Sequence, residues 1–348
     1  MKKTVVFFYV LLGIIILGTL SFLLLERGER LKIIYSIQNT NIIHDLEDNG
    51  SIYQGILNNT QLPADRLDYE VNYFETYTDF ENLLSKTIKP RASNVVLCDF
   101  DKQETYETFL KENKYTSPLY ITSYVGDKIT NNQQKDILYL FPSTEIIANA
   151  INQLFGLNDN HTILLINNQV NTHRNAIFQE KLKGQKTIVK VVEENEFQDS
   201  INSIGDILSK ENPDYILIDL NEKSTIALLE KIVGFPRDKI ILMFENTSQR
   251  LAYYAGSNSY GVNGIAFKNP AEIMGFGNKT SLLKMVTQTL AQCFVKYKKA
   301  DINSLKQYLY ENPNTPFHLK DQSISTPIYK VTFTERGLRV IDKIDTLK

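Results

Sequence analysis

Short apolar runs alternate with helical patterns along most of this chain. Polar or turn-forming residues bound each run, which is typical of buried strands. The first set of predicted strands lies at residues 32–37, 69–74, 94–100, 118–122 and 136–141. The pattern then restarts at residues 161–167, 186–192, 215–219, 239–244 and 262–267. Strands that alternate with helices favour a parallel sheet, so two successive arrays predict an α/β protein with two lobes.

Apolar residues that recur every three or four positions predict helices between these strands. The predicted helices lie at residues 42–57, 200–208, 221–233, 281–297 and 301–310, with others through residues 176–182, from Asp79 and after Pro142. Ser143 or Thr144 is positioned to cap the helix after Pro142. The chain ends in a predicted hairpin of residues 328–333 and 338–341. The hairpin and the last two helices are too small for a third core, so we expect them to pack across both lobes.

One apolar run, residues 4–25, continues without interruption behind Met1, Lys2 and Lys3. At about 1.5 Å per residue this run makes a helix of roughly 33 Å, which is long enough to cross a bilayer. The two lysines place residues 1–3 in the cytoplasm and the main domain outside the membrane. The sequence thus predicts a single-pass bacterial cell-membrane protein with an extracytoplasmic domain.

A cleaved signal peptide is the alternative for this segment. Its apolar region is usually shorter, and it ends in a small-x-small site that residues 21–26 do not contain. No cysteine closely follows the run, which excludes a bacterial lipid anchor. We therefore interpret residues 4–25 as an uncleaved transmembrane anchor.

Composition narrows the classes of function. The chain has 348 residues, 43% of them hydrophobic and 22% charged, and a formal net charge of −2. This near-neutral chain has no basic stripe, so we expect no nucleic-acid partner. Cys98 and Cys293 lie in apolar stretches and are expected to be buried thiols, with a disulfide as the alternative.

The motifs that mark common enzymes and metal sites are missing from the sequence. The four histidines are far apart and show no metal-ligating spacing: His44, His161, His173 and His318. The chain has no G-x-S-x-G elbow, no Walker loop and no G-x-G-x-x-G after a strand. We predict a protein that is not an enzyme and that uses no metal or cofactor.

Four stretches resemble the type I periplasmic binding proteins, in particular the branch of branched-chain amino-acid receptors. Residues 139–144 (Tyr-Leu-Phe-Pro-Ser-Thr) are similar to the family's crossover between lobes, and residues 212–218 (Asn-Pro-Asp-Tyr-Ile-Leu-Ile) to the entry into its third lobe-two strand. Residues 261–265 (Gly-Val-Asn-Gly-Ile) resemble a late turn of lobe two, and Phe333 with Gly337 resembles the terminal hairpin. The alternative is a generic α/β protein with accidental punctuation.

The resemblance implies a bilobed fold with two doubly wound parallel sheets and an interlobe cleft. Lobe one is then expected to comprise residues 31–142 with about 270–325, and lobe two residues 143–269 with about 326–348. Ligands of such folds bind outside the carboxyl ends of the parallel strands. The ligand-binding candidates at these ends are Asn39, Thr40, Asp99, Asp101, Thr122, Ser123, Tyr124, Asn168, Asp219, Asn221 and Glu245.

Glu245 is the strongest carry-over, because it follows a strand similar to the one whose acidic residue receives the ligand's ammonium group in the family. Thr122 and Ser123 lie where the family contributes small and hydroxyl residues. After the third strand, however, the family has a serine-rich loop for the ligand carboxylate, and this chain has Asp99 and Asp101 instead. Two acidic groups there predict a neutral or cationic ligand, or a cleft that no longer binds small molecules. Helix capping is the alternative role for both aspartates, and a structural or solvent-facing role for Glu245.

The resemblance implies a membrane-tethered solute-binding protein that closes on a small polar ligand, with an amino-acid-like compound as one candidate, for an ABC-type permease. The alternative is a sensor or scaffold subunit of the same fold that acts on a membrane receptor kinase or an envelope assembly. The expected partners are a small-molecule ligand, the membrane, and a permease or sensor protein.

Overall fold

A computed structural model of the protein describes residues 30–38, 42–90, 92–100, 102–125, 136–168, 172–192, 197–268, 278–320 and 322–345. The predicted anchor at residues 4–25 lies outside these ranges. Within them, no helix combines the length and the apolar character that a membrane crossing requires.

Two seven-stranded sheets form the centres of two α/β lobes. The first sheet contains β1 (Arg30–Gln38), β2 (Leu67–Phe74), β3 (Ala92–Asp99), β4 (Leu119–Val125), β5 (Ile137–Phe141), β11 (His318–Lys320) and β12 (Ser323–Ser325). The second contains β6 (Thr162–Asn168), β7 (Lys186–Val192), β8 (Tyr215–Asp219), β9 (Ile240–Leu242), β10 (Asn263–Ala266), β13 (Ile328–Thr334) and β14 (Gly337–Ile344). The prediction of two α/β lobes is confirmed.

The first five strands of each lobe have the same order, whereas the last two strands join the two sheets in different ways. In the first sheet the order is β11-β12-β5-β4-β3-β1-β2, and in the second it is β14-β13-β10-β9-β8-β6-β7. The first five strands of each lobe pair in parallel, whereas β11 is antiparallel to β12, and β13 is antiparallel to both β10 and β14. The strand order reverses between β1 and β3 in lobe one and between β6 and β8 in lobe two. Such a switch point opens a crevice at the carboxyl ends of the strands, where ligands of doubly wound sheets bind.

Helices cover both faces of the sheets, which explains why the strands beside each switch point are buried apolar runs. The helices are α1 (Ile42–Asn59), α2 (Tyr77–Thr87), α3 (Gln103–Glu112), α4 (Thr144–Phe155), α5 (Thr172–Lys181), α6 (Phe197–Glu211), α7 (Glu222–Lys231), α8 (Gln249–Ala255), α9 (Asn278–Tyr297) and α10 (Ile302–Glu311). Every residue of β8 is buried. Helices α3 and α8 had not been predicted, because their polar positions mask the apolar period.

The long helix α9 returns the chain from lobe two to lobe one. It packs against α1 and α10, and it also contacts β5 and the short 3-10 turn Phe244–Asn246. Its buried face includes Leu290 and Phe294. The interior is thus continuous from the helices of lobe one to the turn that follows β9.

Two local predictions are corrected. Helix α2 begins before Asp79: Thr76 is its N-cap, and its hydroxyl accepts from the Asp79 N–H while the Asp79 carboxylate accepts from the Thr76 N–H. Asp79 is therefore the third residue of the helix and completes a capping box, in the place where Glu or Gln is usual. The strand predicted at residues 239–244 is shorter, since the chain leaves β9 for the 3-10 turn at Phe244. Cys98 and Cys293 are buried free thiols, as predicted.

Candidate functional site

At the switch point of lobe one, the carboxylate of Asp99 is paired rather than free. Asp99 ends β3, and its carboxylate accepts a hydrogen bond from the Ser123 hydroxyl at 2.7 Å. The Lys279 ammonium group, in the first turn of α9, lies 2.6 Å from the other carboxylate oxygen. Burial opposes the charge of Asp99, but Lys279 and the two hydrogen bonds outweigh it and lower the pKa of this carboxyl.

This pairing changes the expected chemistry of the loop after β3. Asp99 does not cap the following helix, because α3 has Lys102 at its N-cap position without a side-chain hydrogen bond. The negative charge of Asp99 is balanced by Lys279, so Asp99 does not by itself repel an anionic ligand group. The Lys279 side chain keeps 35% of its surface exposed, whereas that of Asp99 keeps 18%.

At the switch point of lobe two, a buried asparagine and a buried aspartate lie side by side. Asn167 on β6 is in register with Asp219 at the end of β8, so their side chains leave the sheet on the same face. The Asn167 amide donates to the Oδ1 of Asn175 on α5. Neither carboxylate oxygen of Asp219, nor the Asn167 Oδ1, accepts a hydrogen bond from any residue that the structure describes.

A buried guanidinium joins Asp219 to Glu245. Arg174 extends from the first turn of α5, with its Nε 3.4 Å from the Asp219 carboxylate and its Nη1 3.6 Å from the Glu245 carboxylate. The guanidinium also lies over the ring of Phe244, 5.1 Å from its centroid, and faces Phe178 at 5.8 Å. Arg174 and Asp219 are almost fully buried, whereas the Glu245 side chain is 47% exposed. Glu245 is thus the accessible end of an acid–guanidinium–acid cluster.

The charges in this cluster do not balance when all three groups are ionised. One guanidinium, that of Arg174, is paired with two carboxylates. The buried carboxylate of Asp219 is slightly closer to it than the exposed carboxylate of Glu245. Burial raises the pKa of Asp219 to about 6; Arg174 acts in the opposite direction, and Glu245 adds to the rise. A buried carboxyl with such a pKa changes its charge near pH 6.

Aromatic side chains connect the two lobes directly beside this cluster. Phe141 ends β5 of lobe one, and its ring centroid lies 4.4 Å from that of Phe244 and 5.4 Å from that of Phe267, which follows β10. The Arg174 guanidinium lies over the same Phe244 ring. The carboxyl ends of β5 and β9 therefore approach each other at Phe141 and Phe244, beside the acid–guanidinium–acid cluster.

The remaining predicted residues are distributed unevenly. Thr122 is fully buried in β4, while Ser123 is half-buried and Asn168 lies half-buried at the end of β6. Asn221 is exposed and caps α7, where its Oδ1 accepts from the Ser224 N–H at 2.8 Å. Three of the predicted residues lie outside the described part of the chain, as does the side chain of Tyr124: Asn39, Thr40 and Asp101.

Two cations were not predicted from the sequence, although each is central to one cluster. Arg174 and Lys279 both belong to the first turn of a helix that begins earlier than predicted. For Arg174 the available signal was a basic residue shortly after the apolar strand β6, in the first turn of the next helix, whereas Lys279 lies well beyond β10 and had no such signal. Among the described residues, no group of histidine, cysteine and acidic side chains has the arrangement of a metal site.

Comparison with solved structures places this architecture. No family model matches the sequence, and no curated protein matches it either. A solute-binding protein of an ABC transporter from Rhodopseudomonas palustris, solved with 3,4-dihydroxybenzoic acid, superposes with a TM-score of 0.68 at 14% identity, over 92% of this chain and 98% of that one. The chain has the bilobed fold of the type I periplasmic binding proteins.

Other structures with this fold bind amino acids. A branched-chain amino-acid ABC transporter protein from Thermus thermophilus, solved with valine, has a TM-score of 0.67 at 9% identity, over 92% of this chain and 98% of that one. A leucine-binding protein from Thermotoga maritima has a TM-score of 0.64 at 11% identity, over 91% and 99%. At these identities the likeness concerns the fold, and the cleft residues of each protein have to be considered on their own.

Proposed function

We propose that this protein is an extracytoplasmic solute-binding protein that closes its two lobes on a small polar ligand and delivers it to an ABC-type permease. The observation that supports this proposal is the placement of accessible, opposite charges at the carboxyl ends of both sheets. Lys279 offers an ammonium group beside lobe one, and Glu245 offers a carboxylate in lobe two. A ligand that carries both an anionic and a cationic group, such as an amino acid, would complement this pair.

The membrane tether belongs to the same proposal. The apolar run at residues 4–25 would keep the binding domain at the membrane surface, where its effective concentration beside a permease is high. The first compounds to test are valine, leucine and 3,4-dihydroxybenzoic acid, for which the similar structures are ligand-bound or named.

A sensor or scaffold role is the second candidate. In that role the same domain would act on a membrane receptor kinase or an envelope assembly, and the tether would hold it beside one dedicated partner. The observation in its favour is that each accessible charge already has an internal counter-ion, Asp99 for Lys279 and Arg174 for Glu245. A ligand therefore has to compete with contacts inside the protein.

A thermal-shift screen of the full-length chain separates the two functions. The compounds are amino acids, their deaminated and decarboxylated counterparts, aromatic acids, sugars and small cations. Solute binding predicts a rise in melting temperature with one chemical class, and loss of that rise in Glu245→Ala. Glu222→Ala is the matched control, because Glu222 is another lobe-two carboxylate and forms an ion pair with Arg250 at 2.8 Å.

The outcomes decide between the candidates. A compound that stabilises the native chain and the Glu222→Ala variant, but not Glu245→Ala, supports a ligand site at the carboxyl end of β9. No shift with any compound contradicts solute binding and leaves the scaffold role.

A further inference from the structure

The acid–guanidinium–acid cluster of lobe two has two carboxylates that differ in their access to solvent. Asp219 is almost completely buried, and Glu245 is about half exposed in the cleft. Both compete for Arg174, whose Nε and Nη1 atoms lie 3.4 and 3.6 Å from them, distances that are longer than those of tight charge-assisted hydrogen bonds. Small movements of the guanidinium can therefore strengthen one pair at the expense of the other.

The surroundings of Asp219 leave few other groups to balance its charge. The neighbouring strands bring Asn167 and Leu242 to this edge, and neither is charged. Of the described charged groups, Arg174 from α5 and Glu245 from the 3-10 turn act on Asp219. At the start of α7, Glu222 is engaged by Arg250. Asp219 must therefore be either protonated or ion-paired with Arg174, because an ionised carboxylate that is buried without a counter-ion is strongly disfavoured.

We infer that Arg174, Asp219 and Glu245 form a proton-operated switch that sets the charge which the cleft presents to a ligand. When Asp219 holds a proton, Arg174 neutralises Glu245, and the cluster is uncharged. When Asp219 releases the proton, Arg174 is drawn towards it, the cluster carries one net negative charge, and Glu245 is available to a cationic ligand group. The inference rests on the proposed solute-binding function and adds the regulation of its site.

The switch has a mechanical connection to the interlobe contact. Arg174 lies over Phe244, whose ring packs on Phe141 of lobe one. A shift of the guanidinium between the two carboxylates therefore changes its position on a ring that belongs to the junction of the lobes. The Arg174 side chain therefore links release of the Asp219 proton both to the charge that a ligand meets and to closure of the lobes.

The switch is tested first without a ligand, by thermal unfolding of the full-length chain at a series of pH values. Asp219 binds its proton more tightly in the folded than in the unfolded state, so stability should fall as pH rises from about 4 to about 6. Asp219→Asn should remove this fall. Glu245→Gln removes the second carboxylate, so the fall should move to lower pH by on the order of one pH unit. Glu222→Gln, the matched control, should leave it in place.

The second measurement adds a cationic probe, isobutylammonium, which is valine without its carboxyl group, at about pH 5 and about pH 7.5. The native chain should be stabilised by it more at the higher pH, and the Asp219→Asn variant should show no such difference. The switch is rejected if Glu245→Gln leaves the pH of the fall unchanged. It is also rejected if the probe stabilises the native chain equally at both pH values or at neither.

These outcomes separate the switch from the function on which it rests. Solute binding is kept and the switch is rejected if a ligand binds in the screen of amino acids and acids but the pH of the fall in stability does not move in Glu245→Gln. If no compound binds in that screen, solute binding is rejected, whatever the pH profile shows.

Discussion

At the scale of single residues, the candidate cleft is defined by two cations that each hold a carboxylate. Lys279 is bound to Asp99 with help from the Ser123 hydroxyl, and Arg174 is shared between Asp219 and Glu245. The two clusters differ in their balance. Among the ion pairs of the described residues, Lys279 meets one acid in lobe one, whereas Arg174 meets two acids in lobe two. Burial, to which Glu245 adds, raises the pKa of Asp219, whereas the pKa of Asp99 is lowered because Lys279 and two hydrogen bonds outweigh its burial.

Lys279→Met should destabilise the protein by about 1–2 kcal/mol, because the largely buried Asp99 carboxylate loses its counter-ion while keeping the Ser123 hydrogen bond. The lowered pKa of Asp99 contributes stability above the usual pKa of an aspartate, and that contribution is lost as pH falls through the folded-state value. The variant should therefore differ from the native chain near neutral pH and converge with it in acid.

Urea unfolding of the full-length chain at neutral and acidic pH measures this difference. Lys299→Met, at an exposed position just beyond α9, is the control and should stay within about 0.5 kcal/mol of the native chain. An equal loss in Lys279→Met at both pH values would contradict the ion pair as its cause.

At the scale of elements, the first turn of each helix positions the polar groups of the cleft. Helices that follow parallel strands begin at the carboxyl edge of the sheet, so their caps and first-turn side chains collect where ligands bind. Ser143, Asn221 and Ser248 each cap a helix there through a side-chain oxygen. Small polar residues at this edge are therefore suited both to cap a helix and to bind a ligand, and the residue type alone does not distinguish the two roles.

Asn221→Ala should lower the free energy of unfolding by about 1 kcal/mol, because it removes the oxygen that accepts from the Ser224 N–H. Asn221→Asp should retain most of the stability, since a carboxylate also caps a helix and interacts favourably with its N-terminus. Chemical denaturation of both variants tests the capping role.

The same two variants test whether Asn221 also contacts a ligand, as predicted from the sequence. If capping is its whole role, any compound that stabilises the native chain should stabilise Asn221→Asp by the same amount. A selective loss of ligand response with unchanged stability would restore the ligand contact.

At the scale of the whole molecule, an aromatic cluster and one long helix connect the described parts of the two lobes. Phe141 of lobe one packs on Phe244 and Phe267 of lobe two, and α9 spans from the lobe-one helices to the 3-10 turn beside Glu245. The chain passes between the sheets after β5, after β10 and between β12 and β13. A hinge motion of one lobe against the other would have to be accommodated by these three crossings.

Phe141→Ala should cost about 3–5 kcal/mol, because it opens a cavity among fully buried rings at the junction of the lobes. Denaturant unfolding of the full-length chain measures the loss. Tyr310→Ala is the control at a ring that is 86% exposed, and it should change stability by no more than about 0.5 kcal/mol. A small effect of Phe141→Ala would mean that the interlobe contact contributes little to stability.

The sequence by itself determined the two α/β lobes and most of their strands, because buried parallel strands are short apolar runs whose period is legible locally. The strands β7 (Lys186–Val192) and β8 (Tyr215–Asp219) coincide with their predicted ranges. Asp219 and Glu245 were candidates because they follow strand ends in a chain that resembles the family, and their contact with a ligand stays a prediction. The anchor at residues 4–25 and the lobe boundaries stay predictions.

Only the tertiary structure decided which charges meet. Lys279 and Asp99 are far apart in the chain, and nothing in either local pattern indicates that α9 returns to the end of β3. Arg174 follows β6, Asp219 ends β8 and Glu245 follows β9, and the strand order β9-β8-β6 makes these strands neighbours although β7 lies between β6 and β8 in the chain. Long-range pairing depends on how sheets and helices pack, and burial of the paired groups sets their pKa values, so neither property can be derived from neighbouring residues.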